Sequence, residues 1–402
     1  MALILVSSLC VGLNGGGAAS AATRPIVIGY ISDLTGVAAS TFEDGPGGAQ
    51  ARIDLQNARG GVNGHRIKLV VEDDQSSPTN NMTVSQDLVE NKGAFGIIDY
   101  SAFTFGGYKY LQQQGIPVTG GGFDGPEWGV LPNTNMFDTG PPLDGPIQGN
   151  FYSTNAGAKL YKSLGIHGIA GLAYGISESS QQSIKSIFAT LPASYKCYEN
   201  LSVPFGGVDF TADVLQMKQA GCDAVVGSFV DSSDVALSQA VKDAGMKVKQ
   251  IYFTGYDENI LQSPSARAAA NGDYFTAGIN FTTPNAATRA MLDALKKYDP
   301  GYKGGIPDYG LYGSYLSADL MIKGLELAGK NPTRADFISN LRKVKKYDAG
   351  GILPSPTSFA GLGTRAIIPK TICGYYMELE GSQFHVITGK PICGSTVAIP
   401  AS

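Results

Sequence analysis

Charge is scarce along this chain. Only 16% of its 402 residues are Asp, Glu, Lys or Arg, and the formal balance is −4 with the histidines neutral. No basic stripe runs along the chain, and Lys and Arg bunch most densely at Arg342-Lys343-Val344-Lys345-Lys346, so nucleic-acid binding through phosphate neutralisation has little support. Histidine is scarcer still, with His65, His167 and His385 lying far apart. None has a cysteine or carboxylate at zinc-ligand spacing, so no metal site is expected and each is read as a surface or packed residue. A G-x-S-x-G elbow and a Walker loop are both missing. No period of about 20–50 residues repeats, which disfavours a solenoid. No apolar segment is long enough to span a bilayer.

What the chain has in quantity is glycine and proline, 53 and 21 residues, which indicates many turns. With 402 residues, 43% of them hydrophobic, it is too long for one average domain and suits two lobes with a core each. Residues 2–13 are an apolar run without the usual preceding Lys or Arg, and a small-residue tract ends at Ala19-Ser20-Ala21-Ala22. That pattern predicts a secretory leader over residues 1–22. Leu9 stands where a small residue would precede a lipidated cysteine, so no lipid is expected on Cys10.

The stretch from Ile26 to Asp74 is the most informative. Residues 26–31 form a short apolar run, as a strand covered on both faces requires. Residues 47–58 carry helix formers, and Gly60-Gly61 stops that helix. Residues 67–71 are expected to make a second buried strand that delivers Glu72-Asp73-Asp74 to the sheet edge. Such a βαβ unit implies a parallel sheet with right-handed crossovers. The residues Leu34-Thr35-Gly36, Asn57-Ala58-Arg59-Gly60-Gly61-Val62-Asn63-Gly64 and Glu72-Asp73-Asp74-Gln75 resemble the opening of type I periplasmic binding proteins, closest to leucine/isoleucine/valine-binding receptors of ABC transporters. The resemblance runs along nearly the whole chain after the leader. It implies an α/β fold of two Rossmann-like lobes joined by three crossing segments, with no enzymatic activity and no cofactor.

Further along, strands and helices alternate as far as the Pro/Gly tract at 139–146, taken as the first crossing. From Asn150 the alternation resumes, beginning with a helix to about Leu164. A second crossing is expected at 274–281, and the helices at 286–298 and 312–328 would return to the first lobe. The lobes are therefore expected to comprise residues 24–142 with 278–350, and 143–277 with 351–402.

Four cysteines remain beyond the leader. Cys197 opens one strand and Cys222 precedes another; if those strands are parallel neighbours, both sulfurs fall at one end of the sheet. Cys373 and Cys393 stand nearly symmetrically about a hairpin turning at Gly381-Ser382. Disulfides Cys197–Cys222 and Cys373–Cys393 are expected in an oxidising compartment, against the alternative of four free buried thiols. Spacing alone does not determine the connectivity.

Ligands of open α/β sheets bind beyond the carboxyl ends of the strands. Here those ends are Asp33–Gly36, Tyr100–Phe103, Gly120–Asp124, Tyr174-Gly175, Phe229–Asp231 and Tyr256–Glu258. Ser101 and amides near Gly120–Asp124 could hold a carboxylate, Tyr174 could stack beside an ammonium, and Asp257 could pair with it. The resemblance implies the same set. Ser101 falls at the family's ligand-carboxylate serine, and Asp257 where an acidic residue serves the ligand ammonium. Tyr174-Gly175 matches the end of a D-x-x-Y-G pattern whose aspartate is absent here. Gly122, Phe123 and Asp124 lie in the family's ligand-binding loop, with Asp124 in place of its threonine. Phe229 or Val230 replaces a tyrosine. A carboxylate at Asp124 would repel a ligand carboxylate, so either Asp124 points away or the ligand differs from a plain branched-chain amino acid. Phe103, Phe105, Phe123 and Trp128 hint at a larger apolar or aromatic ligand.

The expectation is an exported, monomeric solute-binding protein that closes around an amino acid or related amide. It would present the closed form to a membrane permease that this chain lacks. One rival is a sensor of the same fold uncoupled from transport. The other is an α/β enzyme using Gly120-Gly121-Gly122-Phe123-Asp124-Gly125, which satisfies G-x-G-x-x-G. Pro126 and Trp128-Gly129 break the helix such a dinucleotide loop must open.

Overall fold

The computed structural model describes residues 24–141, 143 and 145–401. The leader expected over residues 1–22, with Cys10, lies outside them, as do Pro142 and Asp144 of the first crossing tract.

The first sheet holds β1 (Ile26–Ser32), β2 (Ile67–Asp73), β3 (Gly96–Asp99), β4 (Val118–Gly120) and β5 (Met136–Asp138), in the order β2-β1-β3-β4-β5. All its pairings are parallel. β1 is buried almost throughout, but β2 is only half-buried, because it forms the edge of the sheet and has one neighbour instead of two. The motifs at the start of the chain have plain mechanical roles. Asn57 exchanges two hydrogen bonds of 2.9 Å with the backbone of Ile67, so the helix Gly45–Ala58 is tied to the start of β2. Asp73 accepts from the amides of Leu34 and Thr35 at 3.1 and 3.2 Å and from the Thr35 hydroxyl at 2.6 Å. It holds the loop after β1 in place.

The second sheet holds β6 (Asn150–Thr154), β7 (Ile169–Tyr174), β8 (Lys196–Val203), β9 (Ala224–Ser228), β10 (Lys249–Tyr252), β11 (Tyr274–Ala277), β12 (Thr371–Glu380), β13 (Gln383–Val386) and β14 (Ile392–Pro400). Its order is β6-β14-β12-β11-β10-β9-β7-β8, with β13 on β12. The strands β8, β7, β9, β10 and β11 run parallel, and β12, β14 and β6 extend them antiparallel.

Several local readings change. Residues 150–154 are a strand and not the start of a helix, because Asn150–Thr154 pairs with residues 396–400, which no local period reveals. Tyr274–Ala277 is a strand between β10 and β12, so the second crossing follows it. Past residue 350 the chain stays against the first sheet for longer than expected: Phe359 packs edge-on against Phe137 of β5 at 5.5 Å, and its amide donates to the Val344 carbonyl at 2.9 Å.

The helix Tyr309–Ala328 packs on the helix Gly45–Ala58 and closes the first core. A Cβ at Gly48 would stand 1.9 Å from the Leu311 carbonyl oxygen, so glycine alone permits this approach. Tyr30 and Ser314 share a 2.7 Å hydrogen bond there, and Arg52 pairs with Asp319 at 2.8 Å. Among the described residues no helix is long and apolar enough to cross a membrane.

Both expected disulfides are present. Cys373 and Cys393 are directly opposed, but across β12 and β14. Cys197 and Cys222 do not sit on neighbouring strands, because β7 lies between β8 and β9. The bridge passes over the start of β7, where an added Cβ on Gly168 would meet Cys197 and Cys222 at 3.6 Å.

Candidate ligand-binding site

The carboxyl ends of both sheets face one cavity of about 170 Å³. The first lobe supplies Phe42, Ala102, Phe123, Asp124 and Tyr309. From the second come Tyr174 at the end of β7, Phe205, and Ser228, Phe229 and Val230 at and after the end of β9. Phe253 and Thr254 follow β10, and Ser177, Ser180 and Ser183 mark the first turns of the helix Glu178–Ala189. A second chamber of about 420 Å³ adjoins it on the side of the crossing segments and shares Phe123, Phe253 and Tyr309 with it.

Of the residues named from sequence, Phe123, Asp124, Tyr174 and Phe229 come together on the first cavity, and Gly122 lies on the second chamber. Ser101 and Asp257 line neither, because their oxygens are engaged elsewhere. The Ser101 hydroxyl is fully buried, donates to Asp74 and accepts from the Phe103 amide at 2.9 Å. Asp74 also accepts from the Asn81 side chain and the Ser76 amide, both at 3.1 Å. This buried network sets the loop after β3 and leaves Ala102 as the wall residue. Asp257 caps the helix Glu258–Gln262 by accepting from the Ile260 amide at 3.0 Å. Burial, followed by the charge of Asp231, pushes its carboxyl up to about 7.

Tyr174 is almost wholly buried, with its ring 4.5 Å from Phe205 and 4.6 Å from Phe229. Its hydroxyl donates to Ser233 at 2.7 Å and accepts from the Val230 amide at 3.2 Å, which positions the helix Asp231–Asp243. Asp124 turns its oxygens toward Trp128 Nε1 at 2.6 Å and the Phe105 amide at 3.1 Å. Burial and then the neighbouring Glu127 charge hold its carboxyl well above the ordinary range. Its two oxygens are thus spent on donors of the same lobe.

The serines come from a capping turn. Ser177 accepts from the Ser180 amide at 3.2 Å, and Ser180 Oγ donates to the Ser228 carbonyl at 2.7 Å. Ser183, within the helix Glu178–Ala189, also lines the cavity, and its hydroxyl has no hydrogen bond to another described residue. Sequence reading passed over Phe42, Phe205, Tyr309 and these serines. The only local signal was the serine three residues before Ser180 at a helix start.

The lobes touch above the cavity. Ser179 Oγ donates to the Phe123 carbonyl at 2.6 Å, and the Phe103 and Phe205 rings meet at 4.8 Å. Asp231, pushed up to about 6 by burial, accepts from Thr254 and from Thr41 of the opposite lobe. The glycine-rich segment after β4 runs on through turns and bends over residues 121–130 and opens no helix.

Two sheets with their carboxyl ends facing across a cleft, and a cavity walled from both sides, define a two-lobed binding protein. The periplasmic binding protein family model matches residues 25–367, so the chain belongs to that family, whose relatives described next are binding proteins and not enzymes. It is 25% identical over 310 residues to a Leu/Ile/Val-binding protein homolog 2 of Brucella abortus, covering 76% of this chain and 79% of the relative. It resembles the branched-chain amino acid transporter substrate-binding protein of Streptococcus pneumoniae solved with isoleucine. That match has a TM-score of 0.70 and 21% identity, over 90% of this chain and 99% of the other. A solute-binding protein of an ABC transporter from R. palustris, solved with benzoate, matches with a TM-score of 0.73 and 15% identity, over 94% and 98%.

Proposed function

We propose that this chain is an exported receptor that captures a small amino acid or related amide bearing a large apolar or aromatic body. By lobe closure it would deliver that ligand to the membrane permease of an ABC-type importer. The observation that carries this reading is the cavity of about 170 Å³ walled from both lobes at the carboxyl ends of their strands. Rings of Phe123, Tyr174, Phe205 and Phe229 would enclose the apolar body. Burying such a group is worth about 1.5–3 kcal/mol. A ligand carboxylate would sit against Ser183 and the amino end of the helix Glu178–Ala189, where the helix dipole favours negative charge. Gly122 and Asp124 would shape the wall, while Ser101 and Asp257 act from behind it by holding the loops. In this reading residues 24–142 with 278–350 rotate against 143–277 and the carboxyl-terminal sheet strands about the crossing segments. The ligands of the two solved relatives, isoleucine and benzoate, fit the same balance of apolar body and carboxylate.

Isothermal titration and thermal shift with leucine, phenylalanine, their amides and benzoate test the capture step. A ligand that binds only the native state raises the melting temperature by mass action. No response to any of them would overturn the reading. Delivery is tested by uptake of the bound solute in cells lacking the gene; unchanged uptake removes the importer from the proposal.

A further inference from the structure

The chamber beside the crossing segments has an unusual lining. Tyr100, Phe253, Tyr309, Tyr312, Tyr375 and Tyr376 all stand in its walls. Among the described residues its single carboxylate is Asp138, at the carboxyl end of β5, and no lysine, arginine or histidine lines it. Asp138 has no ion pair among the described residues. Its Oδ1 accepts from the Gly140 amide at 2.9 Å. That contact sets where the carboxylate lies without supplying a formal positive charge. Gly122 keeps the approach open, since a Cβ there would stand 2.3 Å from Asp138 Oδ2. Tyr309 meets Tyr312 edge to face at 5.7 Å and 80°, and the Tyr100 ring lies tilted 5.8 Å from Tyr309.

Aromatic faces carry negative charge density, and several of them around one acid form a box that attracts an organic cation. We infer that this chamber receives the ammonium end of the ligand, with Asp138 as the counter-charge and the tyrosines as the cage. This rests on the receptor reading above and extends it. The solute then carries its carboxylate or apolar body in the first cavity and a carbon-bearing ammonium in the second. Asp138 therefore takes the task that sequence reading assigned to Asp257. An α-amino group and a methylated ammonium share this chemistry, and the probes below separate them.

The test is titration calorimetry on the full-length protein with tetramethylammonium chloride, trimethylglycine, phenylalanine and benzoate. Expected are binding of at least one ammonium probe and a fall of about tenfold or more, in Asp138→Asn and in Tyr312→Leu, in its affinity relative to benzoate. Response to tetramethylammonium or trimethylglycine above phenylalanine assigns a methylated ammonium; the reverse assigns an amino group. Benzoate binding with no ammonium probe bound overturns this inference and leaves the receptor reading standing. No binding of any probe overturns both. Should Asp138→Asn fail to fold, an unchanged ratio in Tyr312→Leu is enough to overturn it.

Discussion

The Asp231 amide donates to Thr41 Oγ1 at 3.1 Å, and the Thr41 hydroxyl returns to Asp231 Oδ2 at 3.3 Å. Thr41 follows β1 of the first sheet and Asp231 follows β9 of the second, so this reciprocal pair ties the two sides of the cleft together. Replacing Thr41 by Val keeps the shape and removes both bonds. A buried hydrogen bond contributes about 0.5–1.5 kcal/mol net. Losing both is worth about 1–3 kcal/mol, so ligand affinity in Thr41→Val is expected to fall about 5–150-fold, while the melting temperature of the ligand-free protein changes little. Titration calorimetry against thermal melts checks it; equal affinity would mean that the pair does not hold the closed form.

Ser101→Ala is expected to act through stability first. It strips a donor from the buried Asp74 and leaves the Phe103 amide without its acceptor. Leaving such groups unpaired costs about 1–3 kcal/mol. A urea titration should show the midpoint falling with an unchanged slope.

Asp257→Ala removes a helix cap and should cost about 0.5–2 kcal/mol. Asp257→Asn retains an acceptor for the Ile260 amide and should restore most of that stability. Thermal melts of the two variants side by side decide it: equal losses would show that the cap is not what Asp257 contributes.

Acid should stabilise this protein. Burial first of all pushes Asp33 and Asp257 up to about 7 and Asp138, Asp231 and Asp273 up to about 6, from an ordinary value of 3.8. The native state thus binds protons more tightly than the unfolded chain. The stabilisation is complete below the unfolded value and is lost as pH rises through about 6–7. The melting temperature should be higher near pH 5.5 than near pH 8, by roughly 2–4 °C per kcal/mol for a domain of about 150–250 residues. A flat or rising profile over that interval would show these carboxyls to be solvated.

The two disulfides close separations of 25 and 20 residues. Each should contribute about 2–4 kcal/mol by restricting the unfolded chain. Non-reducing peptide mapping should recover both linked pairs, and Cys197→Ser with Cys222→Ser should melt well below the parent. Free thiols at these positions would refute the pairing.

Local sequence determined a good deal. The run from Ile26, the Gly60-Gly61 stop and the strand at 67 gave away the βαβ unit, because strand-forming runs and helix termination are written in neighbouring residues, although the half-exposure of β2 follows from its place at the sheet edge. The candidate loops were legible for the same reason: Phe123, Asp124, Tyr174 and Phe229 all stand at or just past strand ends. Tertiary structure decided the rest. β6 is a strand only because β14 reaches it from the far end of the chain. Ser101 and Asp257 kept the right addresses, yet a buried Asp74 and an unfilled helix end claimed their oxygens. Phe42, Tyr309 and Asp138 reach the cleft from three distant segments. Which way a side chain points depends on the partners that long-range packing brings to it, and no spacing along the chain encodes them.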